Sequence, residues 1–298
     1  MLASRHNHIK SLILMIWMVL LSAFTVVLGS VPMRVLLKAN GRAAFILTQS
    51  LIILGCWVIG WKPVAMTLMA LSIMTFVFGE MEERRKNFFL SASAATLSGL
   101  AAIGGIFFAW SQKIGNSWQT VLNEKMDAFL SQLESSGVTL KEGITAHELL
   151  VQVPSVVVIA LALALFFSLI MEERSLRWMG KFKNKTWNLV FFKAPDSFIW
   201  VFIFSMAGSF LELNIEVIKG ISLNTFNVSL IVFFFQGIAV IYFYFKKYRV
   251  GLFGRLLAIL FVFGQPLGML VVSLLGVVDY WAEFRTRSSA PKKKLSGF

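Results

Sequence analysis

Cysteine, histidine and charged side chains are all scarce in this chain of 298 residues. Its one cysteine, Cys56, permits no internal disulfide. Its three histidines, His6, His8 and His147, show no metal-like grouping, which argues against a zinc enzyme. A Gly-rich phosphate loop of the GxxxxGK[ST] kind is also absent from the sequence, so we predict that the chain does not hydrolyse ATP alone.

Catalytic patterns are missing as well. The sequence offers no Ser-His-Asp set, no metal-ligand set and no pair of carboxylates inside an apolar run. We therefore predict that the protein is not an enzyme and uses no cofactor.

Apolar residues make up 57% of the chain, against 14% charged residues, and 29 residues are Phe. The mean hydropathy is +0.76, and apolar runs of about 20 residues recur, which excludes a water-soluble globule and predicts a polytopic membrane protein. The net charge of +13 comes from short basic clusters between those runs. This pattern is typical of cytoplasmic loops rather than of a nucleic-acid-binding surface.

The predicted fold is an all-α bundle of about eight membrane segments that forms a single integral membrane domain over 1–298. The first segment follows Arg5 and Lys10, and its apolar core is longer than that of a cleaved signal, so we predict a retained helix. The predicted segments are 11–31, 43–61, 63–80, 88–110, 149–170, 197–213, 225–245 and 252–281.

The tetrapeptide MEER occurs twice, at 81–84 and 171–174, after the third and the fifth predicted segments. Two crossings separate the copies, so both should face one compartment. That side collects sixteen of the 28 basic residues and is predicted to be cytoplasmic. We interpret the glutamates as mixed-charge clusters beside Arg84 and Arg174 at helix ends. A parallel duplication stays open, since the sequences after the two copies diverge.

Eight crossings leave the basic tail, 282–298, on the side opposite to most basic residues. A re-entrant hairpin at 264–268 (GQPLG) would return the tail to the cytoplasm. A broken pair formed by the second and third segments would have the same effect. The sequence leaves the side of each terminus open.

The fourth segment carries small residues at a spacing of four, Ser91, Ala95 and Gly99, which predicts close helix packing. The connection 111–148 contains an amphipathic helix that should lie on the membrane surface or cap the bundle. Its apolar stripe consists of Trp118, Leu122, Met126, Phe129 and Leu133.

Neutral amides are the polar groups left inside the segments. They either bond across helices or line a polar pocket for a small ligand. Pro266, between Gly264 and Gly268, is a stronger candidate for a functional kink than the proline inside the fifth predicted segment. The predicted ligand-binding residues are Asn227, Gln236, Gly237, Gln265 and Pro266.

Three stretches of the second half together carry a family resemblance: 193–200 (KAPDSFIW), 233–243 (FFFQGIAVIYF) and 274–285 (LLGVVDYWAEFR). Together they resemble the YybS-like family of uncharacterised polytopic bacterial membrane proteins, over about residues 150–288. That family looks related to the substrate-binding S components of energy-coupling-factor vitamin transporters. The resemblance implies a binder or carrier of a small molecule, with an ATPase module supplied by other chains.

The same stretches have simple physical readings. Asp196 can cap the helix that follows it. Gly237 would let a helix or a ligand approach the Gln236 amide.

Asp279, Trp281 and Arg285 are predicted to anchor the membrane edge or dock a partner. Asp279 and Arg285 are six residues apart, so no direct pair between them is expected.

The leading functional hypothesis is a transporter-like, multi-pass protein of the bacterial cytoplasmic membrane that binds a small neutral or amphipathic molecule between its helices. Its partners would be the lipid bilayer, that ligand and other membrane or ATPase subunits. The alternative is a membrane assembly or docking protein without a substrate, which uses its basic cytoplasmic loops.

Overall fold

The computed structural model describes residues 2–115, 118–136, 146–181, 187–211 and 215–289. The described residues form helices and no strand, which confirms the all-α prediction. Contacts divide the chain into two compact units, Met1–Thr186 (unit 1) and Trp187–Phe298 (unit 2). The sequence predicted one domain over 1–298, which stays a prediction.

The described residues of unit 1 form seven helices. Gly41, at φ 85°, separates the second helix from the third, because this left-handed geometry suits glycine. Pro63 stands in the first turn of the fourth helix, where its missing donor is harmless, and the Asn87 side chain caps the fifth. The helices are α1 Leu2–Phe24, α2 Ser30–Asn40, α3 Arg42–Val58, α4 Lys62–Glu83, α5 Phe88–Ile114, α6 Trp118–Ser135 and α7 Ala146–Trp178.

Unit 2 is built around one long helix that packs against the helices before and after it. A short 3-10 helix, Leu189–Phe191, precedes these helices. The α-helices are α8 Phe198–Phe210, α9 Glu216–Lys247, α10 Leu252–Gly264, α11 Pro266–Ala282 and α12 Phe284–Ser289.

Four of the described helices are long and apolar enough to cross a membrane: α4, α5, α7 and α9. The bent pair of α10 and α11 would make a fifth span. The apolar helices α3 and α8 have only 17 and 13 residues, and the first predicted segment is interrupted between Phe24 and Ser30. The count of eight is therefore not confirmed.

The last predicted segment is broken where its Gly-Gln-Pro sequence predicted a kink. Gln265 adopts an extended backbone, and Pro266 begins α11, because proline fits the first turn of a helix better than its interior. α10 and α11 are bent by 104°. A Cβ on Gly268 would lie 2.1 Å from the carbonyl oxygen of Phe261, so the two helices approach closely. The break fits a broken span or a re-entrant pair.

The small-residue stripe of α5 is buried as predicted. Ser91 and Ala95 are fully buried, and a Cβ on Gly99 would lie 3.0 Å from the Leu161 side chain of α7. The buried amide of Gln49 bonds across helices, accepting from Ser72 Oγ at 3.0 Å. One face of α5 therefore packs against α7, and α5 also packs against α4, while the rest of its surface is exposed.

The predicted surface helix is present as α6, with Trp118 packed edge-on against Phe107 of α5 at 5.6 Å between ring centroids. Phe129 is exposed. The side chain of Leu133, residues 137–145 of the predicted connection and residues 290–298 of the predicted tail lie outside the described residues.

Candidate functional site

A closed ring of four charges lies in unit 1. Helix α2 presents Arg34 and Lys38 one turn apart, and each of them pairs with both Glu82 of α4 and Glu172 of α7. The Arg34 guanidinium donates to Glu82 Oε2 at 2.8 Å and to Glu172 Oε2 at 2.5 Å. Lys38 Nζ donates to Glu82 Oε1 at 3.1 Å and to Glu172 Oε1. Two cations and two anions balance each other.

The ring is enclosed by protein. The side chains of Arg34, Glu82 and Glu172 are only 1%, 6% and 12% exposed. The Arg34 guanidinium also lies over the ring of Phe78, 4.7 Å from its centroid, which adds a cation–π attraction. Buried charges are tolerated where they are paired and hydrogen-bonded; every charge of the ring is paired, and of the Arg34 nitrogens Nε and Nη2 are hydrogen-bonded, whereas Nη1 is buried without a hydrogen-bond partner among the described residues.

Glu82 and Glu172 are the same position of the two MEER stretches. Their shared contact with α2 brings both stretches together at one end of unit 1, and that both face one compartment stays a prediction. The predicted neighbours Arg84 and Arg174 are instead exposed. The sequence pattern did not single out Arg34 and Lys38, although their spacing of four places them on one face of a helix.

Unit 2 holds a second polar network, built around Gln236 of α9, which is fully buried. Its Oε1 accepts from the backbone N–H of Ala194 at 3.0 Å, and its Nε2 donates to Asp279 Oδ2 at 3.0 Å. Arg285 Nη2 donates to the same carboxylate oxygen at 2.7 Å. The network joins the three stretches that carry the family resemblance.

Arg285 also fastens the segment before α8. Its Nη1 donates to the carbonyl oxygens of Val190 and Phe192 at 3.0 and 2.8 Å. Because these carbonyls lie at the end of the short 3-10 helix, the guanidinium links that segment to α11 and α12.

The pair between Asp279 and Arg285 corrects the sequence prediction. A continuous helix would place residues six apart on different faces, but α11 ends at Ala282. Glu283 then takes a left-handed backbone, φ 46° and ψ 47°, and turns the chain so that Arg285 folds back. Asp279 is 2% exposed and Arg285 is also buried, so both side chains bond within unit 2, and their role in anchoring the membrane edge or docking a partner stays a prediction. Trp281, 58% exposed, remains free to do so.

Gly237 is approached by a helix. A Cβ there would lie 2.0 Å from the carbonyl oxygen of Val272, and one on Gly276 would lie 1.9 Å from that of Phe233. Real Cβ atoms do not come this close, so the backbones of α9 and α11 touch at these two glycines.

The other predicted residues are spread over unit 2. Gln265 is exposed at the helix break, whereas Gln236 is fully buried, so the two amides share no interior site. Asn227 is half-buried on α9, and Pro266 starts α11. The N-cap position of α8 is Ser197; Asp196, predicted as the cap, pairs with Lys193 at 3.3 Å.

Unit 2 also contains an open apolar groove of about 320 Å³ that the sequence did not predict. The Tyr244 hydroxyl donates to the carbonyl oxygen of Phe284 at 3.4 Å, so the polar atom of this wall is engaged. The groove follows α9 one turn beyond Gln236. Its lining residues are Val240, Ile241, Tyr244, Phe245, Leu275 and Phe284.

Across the described residues, no group of three His, Cys, Asp or Glu side chains could hold a metal ion. The fold consists of helices, four of them long and apolar enough to cross a membrane, and indicates an all-helical integral membrane protein. The chain belongs to the uncharacterised family described as "Predicted membrane protein (DUF2232)", which matches residues 9–280. No curated protein and no solved structure matches the chain.

Proposed function

We propose that this protein is a transporter-like integral membrane protein, without enzymatic activity, that binds a small neutral or amphipathic molecule in the apolar groove of unit 2. The observation that carries the proposal is the groove itself, about 320 Å³ between α9, α11 and α12. This volume is at the lower end of the range of about 300–1,000 Å³ that small-molecule sites occupy.

The groove is a better ligand site than the amide of Gln236. A ligand that bound this amide would displace the hydrogen bonds to Ala194 and Asp279, and each buried group left without a partner costs about 1–3 kcal/mol. The groove is lined by apolar and aromatic side chains, so an apolar molecule can enter it without breaking the network.

The resemblance to the YybS-like family, and through it to energy-coupling-factor S components, supports the same function. It also supports a location in the bacterial cytoplasmic membrane and assembly with ATPase subunits from other chains. These parts of the proposal rest on the resemblance alone.

The proposal is tested with a variant whose larger side chain fills the groove. The full chain is purified in mild detergent as wild type, as Leu275→Trp and as Leu274→Trp, and molecules that remain bound are extracted and identified by mass spectrometry. Leu275 lines the groove, and Leu274 is its exposed neighbour on α11, so the second variant adds the same bulk outside. We expect a bound species that the wild type and Leu274→Trp retain and Leu275→Trp loses.

A species retained equally by all three proteins, or no bound species in any of them, would contradict a ligand in this groove. Fluorescence-detected gel filtration of each variant confirms that the comparison is made between folded proteins.

A docking role without substrate is the second candidate, and one observation favours it. Arg174 and Arg177 are exposed beside Glu172, which points into the charge ring. The double variant Arg174→Met/Arg177→Met should release co-purifying cytoplasmic proteins under this alternative and leave the groove ligand bound under the leading one.

A further inference from the structure

The groove of unit 2 opens beside a surplus of positive charge. From Val217 to Val278 the sequence contains no Asp or Glu, while Lys246 and Lys247 are the last residues of α9 and Arg249 lies two residues after the helix. All three cations are exposed. Two acidic residues lie near the groove along the chain, and each has a basic partner: Asp279 pairs with Arg285, and Glu283, next to the groove-lining Phe284, lies 3.8 Å from Lys193 Nζ.

Contacts connect this basic end of α9, residues 246–249, to the groove. Lys247 Nζ lies 5.9 Å from the ring centroid of Tyr248. The ring of Tyr248 stacks on that of Tyr244, with 5.8 Å between centroids and 9° between planes. Tyr244 lines the groove, so an apolar channel and a cationic rim belong to one continuous surface.

We propose that the ligand of the groove is an anionic lipid: its acyl chain lies in the groove, and its phosphate headgroup is held by the basic end of α9. This inference rests on the groove ligand proposed above and adds the chemical class of its headgroup. Basic side chains at the membrane surface attract anionic headgroups, and an apolar groove excludes a free hydrophilic anion. The two features together select a molecule with both parts.

The binding experiment uses the full chain in neutral detergent. Native mass spectrometry measures the binding of phosphatidylglycerol, of phosphatidylcholine with identical acyl chains, and of the soluble headgroup glycerol phosphate. The wild type should bind phosphatidylglycerol about tenfold more tightly than phosphatidylcholine, and it should not bind glycerol phosphate at the same concentration.

Two variants separate the headgroup from the chain. Lys246→Met/Lys247→Met should lose the preference for phosphatidylglycerol but keep the weaker binding of phosphatidylcholine. Leu275→Trp should lose both lipids. The charge-matched control Arg84→Met/Lys86→Met removes two exposed cations from unit 1 and should keep the preference.

Equal binding of the two lipids by the wild type would overturn this inference; if Leu275→Trp then lost both lipids, the proposed function would still stand. Binding of glycerol phosphate as strong as that of the lipid would overturn it too, because the site would then be one for free phosphate. The inference would also be overturned if the preference for phosphatidylglycerol survived in Lys246→Met/Lys247→Met or disappeared in the unit 1 control. Either result would show that the preference comes from nonspecific charge and not from the basic end of α9.

Discussion

At the scale of single residues, the charge ring of unit 1 is stable because every member has two partners of opposite sign. Arg34 and Lys38 both contact Glu82 and Glu172, so no charge is left without compensation in a buried place. Removing one member of such a ring leaves an excess charge where water cannot solvate it. The exposed pairs around the ring lack this property, because water screens them.

Glu172→Gln should destabilise the protein by about 3 kcal/mol, since it leaves the ring with two cations and one anion. The matched control is Glu173→Gln in the same MEER stretch. Glu173 pairs with Arg177 on the surface, and its loss should cost less than about 1 kcal/mol. Thermal unfolding in detergent measures both, and equal melting temperatures for the two variants would contradict a buried ring.

The network of unit 2 makes a second prediction at this scale. Asp279→Asn and Arg285→Gln should each destabilise unit 2, and the double variant should lose less than the sum of the two, with a coupling energy of about 1–3 kcal/mol. A double-mutant cycle by thermal unfolding measures this coupling. The exposed pair of Lys193 and Asp196 provides the control cycle, for which we expect coupling below about 1 kcal/mol.

Additive effects of Asp279→Asn and Arg285→Gln would contradict the pair. The sequence alone could not reveal it, because the contact depends on a left-handed turn at Glu283, a residue type that seldom adopts that geometry. The partners of Glu82 and Glu172 were hidden for a related reason: Arg34 belongs to a short helix whose packing is decided by tertiary contacts.

At the scale of elements, glycine sets the distance between α9 and α11. Gly237 and Gly276 face the other helix at its backbone, so neither position has room for a side chain. A rigid carbonyl cannot move aside as a flexible side chain can, and an added methyl group must push the helices apart. The buried amide of Gln236, next to Gly237, depends on that distance for its bond to Asp279.

Gly276→Ala should therefore destabilise the protein by about 2 kcal/mol or more and weaken the network around Gln236. The matched control is Gly104→Ala in α5, where an added Cβ meets nothing within 4 Å and alanine favours the helix. Melting temperatures of the two variants test this. A Gly276→Ala protein as stable as the wild type would contradict the close packing of α9 and α11.

Elements were the part of the fold that the sequence predicted well. Apolar runs identified the helices, and the small residues Ser91, Ala95 and Gly99 identified the packed face of α5. Helix ends were harder, because α3 and α8 stop at Val58 and Phe210, before the predicted segments end at 61 and 213. The sequence could not predict the groove, because the groove is a gap in the packing between α9, α11 and α12.

At the scale of the whole molecule, the account depends on lipid as the solvent. Four described helices, or five with the bent pair, have the length and hydropathy to cross a membrane. Many large apolar side chains remain exposed, among them Leu97 of α5 and Phe204 of α8, which lipid accommodates and water does not. The sequence shows where the apolar segments lie, but it does not show which of these segments cross the membrane and which lie beside it.

The most direct test of this claim places single cysteines in a Cys56→Ala protein held in sealed vesicles and labels them with a membrane-impermeant maleimide. Glu83→Cys and Glu173→Cys, at the ends of α4 and α7, should be labelled from the same side, because their neighbours Glu82 and Glu172 share Arg34. Leu97→Cys, exposed in the middle of α5, should stay unlabelled until detergent is added. Labelling of the two glutamate positions from opposite sides, or of Leu97→Cys in intact vesicles, would contradict the account.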